Sequence, residues 1–247
     1  MSDVIADVGE VIADARVERE RDFHNALVID NPRDKVLKYY AAVNHGSVDY
    51  HKMIERFSIG ADVLEYGCAA GDISLTHARG ARSITGIDIS DAWIARANEA
   101  AEGTQARFLC MNAEQMDLPD NAFDLVFGCS IVHHLDIDRC YAEIRRVLRP
   151  GGTALFLEPL GHNPVINAYR DRTPEARTVD EHPLLRRDFV TARKYFSDIK
   201  LSFYGLSTLG AVVLRLPVSP FRALDRLLLS LPGLKWQAWF VLSRFTK

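Results

Sequence analysis

The sequence predicts an α/β fold, a doubly wound sheet that is mostly parallel and carries helices on both faces. Three observations predict it. From Ala61 to Leu160, short apolar runs alternate with helix-like stretches, the pattern of βαβ units. The first run, "DVLEYG", passes at once into a small, glycine-rich turn, "GCAAG" at Gly67–Gly71, and then into a helix. The second run, "SITGIDIS", places an acid, Asp88, at its C-terminal end. Crossovers joining parallel strands of this kind are right-handed almost without exception.

The elements follow in order. Residues 1–30 read as a polar helix, Asn31-Pro32 as a break, Asp34–Asn44 as a second helical stretch, and Asp49–Phe57 as a helix leading into the glycine-rich region. After the first strand, "DISLTHARG" is a helix closed by Gly80, and after the second, "DAWIARANEAAEG" is a helix stopped at Gly103. "ARFLCMNAEQM" contains a third strand and "FDLVFGCSIVHHL" a fourth. "DRCYAEIRRVLRPGG" is a helix stopped by Pro150 and two glycines, and "TALFLEPL" is a fifth strand. Beyond Leu160 comes a long polar segment, then a helix at "RRDFVTARKYF", an alternating strand at "IKLSFYGLS", an amphipathic helix at "FRALDRLLLSL" and a last strand at "WQAWFVLSRF". The reading is one domain over 51–247 with an N-terminal helical extension at 1–50, a substrate loop at 159–190 and an amphipathic insert at 206–234.

Bulk properties narrow the function. With 247 residues, 48% hydrophobic and 26% charged, the chain has material for a sizeable core. A formal net charge of −3 gives no global field for nucleic acid, so none is expected as a partner. Cys68, Cys110, Cys129 and Cys140 lack CxxC spacing and read as reduced thiols of a cytoplasmic protein. The start carries acids through its apolar positions and reads as neither signal peptide nor membrane span.

Small residues at Gly67, Ala69 and Gly71 let a backbone approach a ligand. Asp88 lies where ligands bind in doubly wound sheets, beyond the carboxyl ends of the strands, and can take both hydroxyls of a ribose. Glu65 before the turn and Asp72 after it would repel a pyrophosphate and suit a ligand carrying an ammonium and a sulfonium.

On these residues the chain resembles the class I S-adenosylmethionine-dependent methyltransferases of small-molecule type. The likeness spans about Glu55–Glu158 through five ordered pieces: "VLEYGCAAG", "GIDIS", "FLCMNAEQMDLP", "FDLVFGCSIVHHL" and "VLRPGG". The resemblance implies a seven-stranded Rossmann-like sheet and S-adenosylmethionine as cofactor, with S-adenosylhomocysteine as product. It implies that Gly67, Cys68, Ala69 and Gly71 line the methionine and sugar, that Asp88 binds the ribose and that Ile89 packs on the adenine. Ala113 and Glu114 would sit at the adenine edge, and Ser130 and His133 near the methyl donor. Two positions depart from the family's pattern: Ala69 replaces a glycine, and Asn112 replaces the acid usual before Ala-Glu.

The expected reaction is methyl transfer to a small molecule with a hydrophobic body, to oxygen first and carbon next. His133 is a candidate base or a positioning residue. His162 and His182 are further catalytic candidates, from the loop that also holds Glu158, Tyr169, Arg170, Asp180 and Glu181; "DEHPL" reads either as a carboxylate–imidazole pair or as a loop anchor. No recognised metal spacing occurs. The insert, with Phe221, Leu224, Leu227, Leu228 and Leu231 on one face, reads as core packing, a wall for a greasy substrate or a peripheral membrane contact through 221–234. The N-terminal segment with Phe23, His24, Tyr39 and Tyr40 reads as a lid. The rival functions are cofactor binding without transfer, a non-methyl reaction on the same scaffold, a macromolecule methyltransferase and a dinucleotide oxidoreductase.

Overall fold

Seven strands form a single sheet in the order β3-β2-β1-β4-β5-β7-β6. The computed structural model describes residues 2–29 and 39–247, with side chains from Ala15 onward in the first helix. The predicted break at Asn31-Pro32 and the start of the second helical stretch lie outside the described residues; 39–42 form a 3₁₀ turn. The strands are β1 (Asp62–Tyr66), β2 (Ser83–Asp88), β3 (Ala106–Cys110), β4 (Phe123–Cys129), β5 (Leu148–Pro159), β6 (Asp198–Tyr204) and β7 (Phe240–Thr246). The first five pair in parallel, whereas β7 lies antiparallel between β5 and β6. All seven runs read as strands in the sequence are strands. Of "VLRPGG", read as the end of a helix, only Val147 is helical: α5 (Ile137–Val147) stops there and residues 148–152 open β5, as the residue before proline is disfavoured in helix.

Both faces of the sheet are dry, so the central strands are apolar at consecutive positions. Along β4, Leu125 and Phe127 pack with Tyr50 and Ile54 of α2 (Asn44–Phe57), while Val126 packs with Tyr141 and Ile144 of α5. The same alternation runs along β5, with Leu155 and Leu157 toward α2 and Phe156 toward α5. α2 is one helix across residue 50, so the extension and the domain share it.

The glycine-rich turn is shaped by the protein's own side chains. Gly71 has φ +76°, and a Cβ there would lie 2.5 Å from the Phe108 ring. Gly86, one strand over, is tighter: its Cβ would meet Phe108 at 2.3 Å. Small residues here therefore let β3 close on β2 and on the turn. Gly86→Ala is expected to cost about 1–3 kcal/mol as overpacking, measured by urea unfolding. The cost should shrink in a Phe108→Leu background; equal costs in both would show that the ring is not the obstacle.

The chain runs outward from β1 to β2 and β3, then returns to β4 on the other side of β1. That reversal opens a crevice beyond the carboxyl ends of β1 and β4, and two adjoining cavities lie there.

Candidate active site

Two cavities meet at Ser130. The first is lined by Gly67 and Ala69 from the turn after β1, Asp88 and Ile89 from the end of β2, and Asn112, Ala113 and Glu114 after β3. The second is lined by His133, Pro159, Arg170, Arg177 and Glu181, with Tyr39, Tyr40, Tyr169, Trp239 and Phe240 around them. Ser130 borders both. It has φ +54°, and Ala69 has φ +44°, left-handed conformations that non-glycine residues adopt at a cost and that cluster at functional sites.

Asp88 pins the turn. Its Oδ2 accepts the N–H of Ala69 at 2.9 Å and its Oδ1 that of Ser90 at 2.9 Å. Burial raises the pKa of its carboxyl, and the backbone donors only partly oppose this. Ser90, by its hydroxyl, caps α4 (Asp91–Ala100) at Trp93 N–H, which leaves Asp88 free of the capping role. Asn112 turns its side-chain oxygen to the N–H of Glu114 at 2.9 Å, so its NH₂ is the group left to donate into the cavity.

Three residues read as cofactor contacts lie elsewhere. Glu65 is buried and accepts the N–H of Ser74 in the first turn of α3 (Asp72–His77) at 3.2 Å; burial pushes its carboxyl up to about 8. It does not line the cavity, so the carboxylates facing a ligand there are Asp88, Glu114 and Glu20. Cys68 packs with Ile94, Ala97 and Phe108, and Gly71 sits against the Phe108 ring.

α1 (Ser2–Leu27) covers the first cavity, contributing Arg16, Val17, Glu20, His24 and Leu27. It is tied down on both sides. Asn25 bonds Ser90 at 2.5 Å and Asp91 at 2.9 Å on α4. On the other side, Arg19 makes a fork of two 2.9 Å bonds to Asp180, and the Thr178 hydroxyl donates to Glu20 at 2.5 Å. Arg16 pairs with Glu114 and donates to the carbonyl of His134. Burial disfavours the charge on Glu20, but contacts with His134, Thr178 and His24 outweigh it and lower its pKa. Sequence reasoning missed Arg16 and Glu20; the one signal was the i,i+4 spacing of Glu20 and His24.

The two adjacent histidines serve different cavities. They stand on a 3₁₀ turn, Val132–His134, rather than on the strand. His134 lines the first cavity, with Nδ1 3.1 Å from Glu20. His133 lines the second, with Nδ1 2.8 Å from Glu158 Oε2 and Nε2 4.0 Å from Glu181. Glu158 is completely buried; its Oε1 accepts the N–H groups of Ile131 and Val132 at 2.9 and 3.0 Å. Burial pushes it up to about 7, against the pull of those donors.

The other two catalytic candidates are placed differently. Nε2 of His162 accepts the N–H of Arg186 at 2.9 Å and the ring packs on Trp236, so it holds the start of α7 (Arg186–Ala192) and lines neither cavity. His182 donates its backbone N–H to the carbonyl of His133 at 2.8 Å. It braces His133 by its main chain, and "DEHPL" acts as an anchor whose Glu181 reaches the second cavity. Among the described residues, Glu20, His24 and His134, and likewise His133, His134 and Glu181, bring ligand-type atoms within 4.8 Å of one another.

The second cavity is short of negative charge. Arg170 is buried; it donates to the carbonyl of Leu160 and the side chain of Asn167. Burial and the neighbouring Arg177 depress its pKa to about 10. Arg177 pairs with Glu181 at 3.3 Å, and its Nε is buried without a hydrogen-bond partner among the described residues.

Comparison with known proteins fits this geometry. Residues 64–156 match the family described as "Methyltransferase domain". The chain is 32% identical over 171 residues to a ubiquinone/menaquinone biosynthesis C-methyltransferase of Hahella chejuensis, covering 62% of this chain and 66% of that protein. It is 32% identical over 151 residues to a sterol 24-C-methyltransferase of Aspergillus fumigatus, covering 57% of this chain and 37% of that protein. The chain thus spans from about a third to just under two thirds of the length of these relatives. In fold it is similar to phosphoethanolamine N-methyltransferase 2 of Haemonchus contortus, solved with phosphomonomethylethanolamine and S-adenosylhomocysteine: TM-score 0.62, 19% identity, 92% of this chain and 59% of that one.

Proposed function

We propose that this chain is a class I S-adenosylmethionine-dependent methyltransferase, as its matched methyltransferase domain and its likeness to a C-methyltransferase support, and that it transfers a methyl group to a small molecule with a hydrophobic body, held in the cavity beyond Ser130. The observation that carries the reading is the junction itself: a cavity ending in Asp88 and one holding a His133–Glu158 pair share Ser130.

The first cavity suits the cofactor. Asp88 is an acceptor for ribose hydroxyls, Asn112 offers an amide donor, and Ile89, Met111 and Leu135 supply apolar walls for a flat ring. S-adenosylmethionine, when bound, supplies the methyl group on an electrophilic sulfonium. The protein's task is then to align the acceptor, exclude water and take one proton. α1 excludes water from one side. With Glu158 ionised, Nδ1–H of His133 donates to it, which fixes the tautomer and makes Nε2, on the Glu181 side of the ring, the basic nitrogen. An acceptor hydroxyl within reach of Nε2 loses its proton as its oxygen takes the methyl group.

Trp239, Phe240 and Tyr169 favour a hydrophobic body, and the two guanidiniums against one Glu181 carboxylate favour an acceptor that carries an anionic group. Transfer to a ring carbon beside that hydroxyl is the second reading, favoured by the likeness to two C-methyltransferases. The test is a panel of hydroxylated lipophilic compounds, each as carboxylate and as neutral amide, with S-adenosylhomocysteine followed by mass spectrometry. Acceptor-dependent product, greatest for carboxylates, is expected. Tight cofactor binding with no acceptor-dependent product across the panel would favour a binding protein or a non-methyl reaction.

A further inference from the structure

The insert before β7 is turned inside out relative to an ordinary surface helix pair. α8 (Ser207–Val213) and α9 (Val218–Leu228) form a hairpin. The buried residue of α9 is its acid: Asp225, 2% exposed, accepts the N–H groups of Leu206 and Ser207 and the hydroxyls of Ser207 and Thr208, capping α8. Leu228 and Leu229 are half-buried, Leu229 against the main core, but the other leucines of the stripe lie outside. Leu224, Leu227 and Leu231 follow a helical stripe and are exposed, Leu227 by 66%. Val213, Leu214 and Leu216 at the turn between the helices are exposed too, Leu214 by 69%. Core packing, the ordinary reading of such a stripe, does not account for these side chains.

Charge says what covers them. Between residues 206 and 237 there are four cations, Arg215, Arg222, Arg226 and Lys235, and a single acid, the buried Asp225. Asp49 of α2, which shares a cleft with Arg222 and Arg226, is engaged by the Tyr204 hydroxyl at 3.0 Å. The chain as a whole is net negative, whereas this segment is net positive because acids are scarce in it: its four cations face a single, buried carboxylate. A two-fold dimer through the patch would set these cations against their own copies with no exposed acid of the segment to pair them. A surface offering hydrocarbon below and anions above satisfies both features. No helix among the described residues is long and apolar enough to cross a membrane, so the contact is with one leaflet.

We propose that the α8–α9 hairpin docks on an anionic lipid surface, with Leu214, Leu216, Leu227 and Leu231 entering the acyl boundary and Arg215, Arg226 and Lys235 meeting the headgroups. The surface lies on the hairpin, and the proposal stands whether or not the chain transfers methyl groups.

The test is flotation of the full chain with vesicles of phosphatidylcholine alone and with about 30% phosphatidylglycerol. Binding to the anionic vesicles at least about tenfold stronger is expected, weakening at about 0.5 M salt. Leu214→Glu/Leu227→Glu should lose that binding about tenfold or more while keeping the wild-type affinity for S-adenosylhomocysteine, which shows that the fold is intact. Arg215→Gln/Arg226→Gln should lose mainly the preference for the anionic lipid. Equal or absent binding to both vesicles overturns the proposal. So does concentration-dependent self-association in sedimentation velocity that the leucine variant abolishes while vesicle binding is nil; that result would assign the patch to a second copy.

Discussion

Glu158→Gln lowers kcat by about 10²–10⁴-fold, the usual worth of a positioned general base, and leaves the affinity for S-adenosylhomocysteine within about twofold. The residue is buried behind His133 and away from the first cavity, so a loss confined to turnover separates proton transfer from cofactor binding. Gln is isosteric and can still accept the N–H groups of Ile131 and Val132 through its oxygen. Its NH₂ then faces Nδ1 and forces the imidazole into the tautomer with the proton on Nε2, where a base must be bare. His133→Ala should cost about as much, and the double variant little more, because the two act as one unit. The pH profile gives a second readout. Burial lifts Glu158 to about 7, and the pair titrates together. Below that region the pair holds an extra proton and the base is lost, so kcat should rise as pH rises through about 7. Glu158→Gln should flatten that limb. An unchanged kcat with a normal profile would assign Glu158 to the architecture of the 3₁₀ turn alone.

How much of this was legible in the sequence depended on whether a residue's role is local. The strands were legible because a sheet dry on both faces needs consecutive apolar positions, as at Leu125–Phe127 and Leu155–Leu157. Asp88 was legible because its place follows from topology. The candidates that line neither cavity are held by partners far away in the chain. His162 looks like a catalytic histidine until Arg186 arrives to donate to it. Gly71 looks like room for a ligand until Phe108 fills that room. Glu65 looks like a ligand for an ammonium until α3 turns Ser74 N–H toward it. The Arg16–Glu114 pair spans 98 residues, and no periodicity announces it. On α9 the periodicity marks which residues share a face but left open whether that face is buried, and only the cap that Asp225 makes on α8 shows which side turns inward.

Asp88→Ala weakens binding of S-adenosylhomocysteine by about 10- to 150-fold, the worth of roughly 1.5–3 kcal/mol for hydrogen bonds to a charged group. The carboxylate does two things at once. It offers acceptors to the ribose, and it holds Ala69 N–H at 2.9 Å in a left-handed conformation that alanine adopts at a cost. Removing it leaves that N–H and the one of Ser90 without their acceptor, so a stability loss of about 1 kcal/mol or more should accompany the loss of affinity. Asp88→Asn separates the two effects. Its single oxygen can keep one backbone partner while its NH₂ faces the other N–H, and it cannot serve two ribose hydroxyls, so it should recover part of the stability and little of the affinity. Calorimetry for binding and urea unfolding for stability read them independently. Full affinity in a folded Asp88→Ala would remove the ribose from this strand end. With it would go the reading that the Ser130 junction joins a methyl donor to its acceptor.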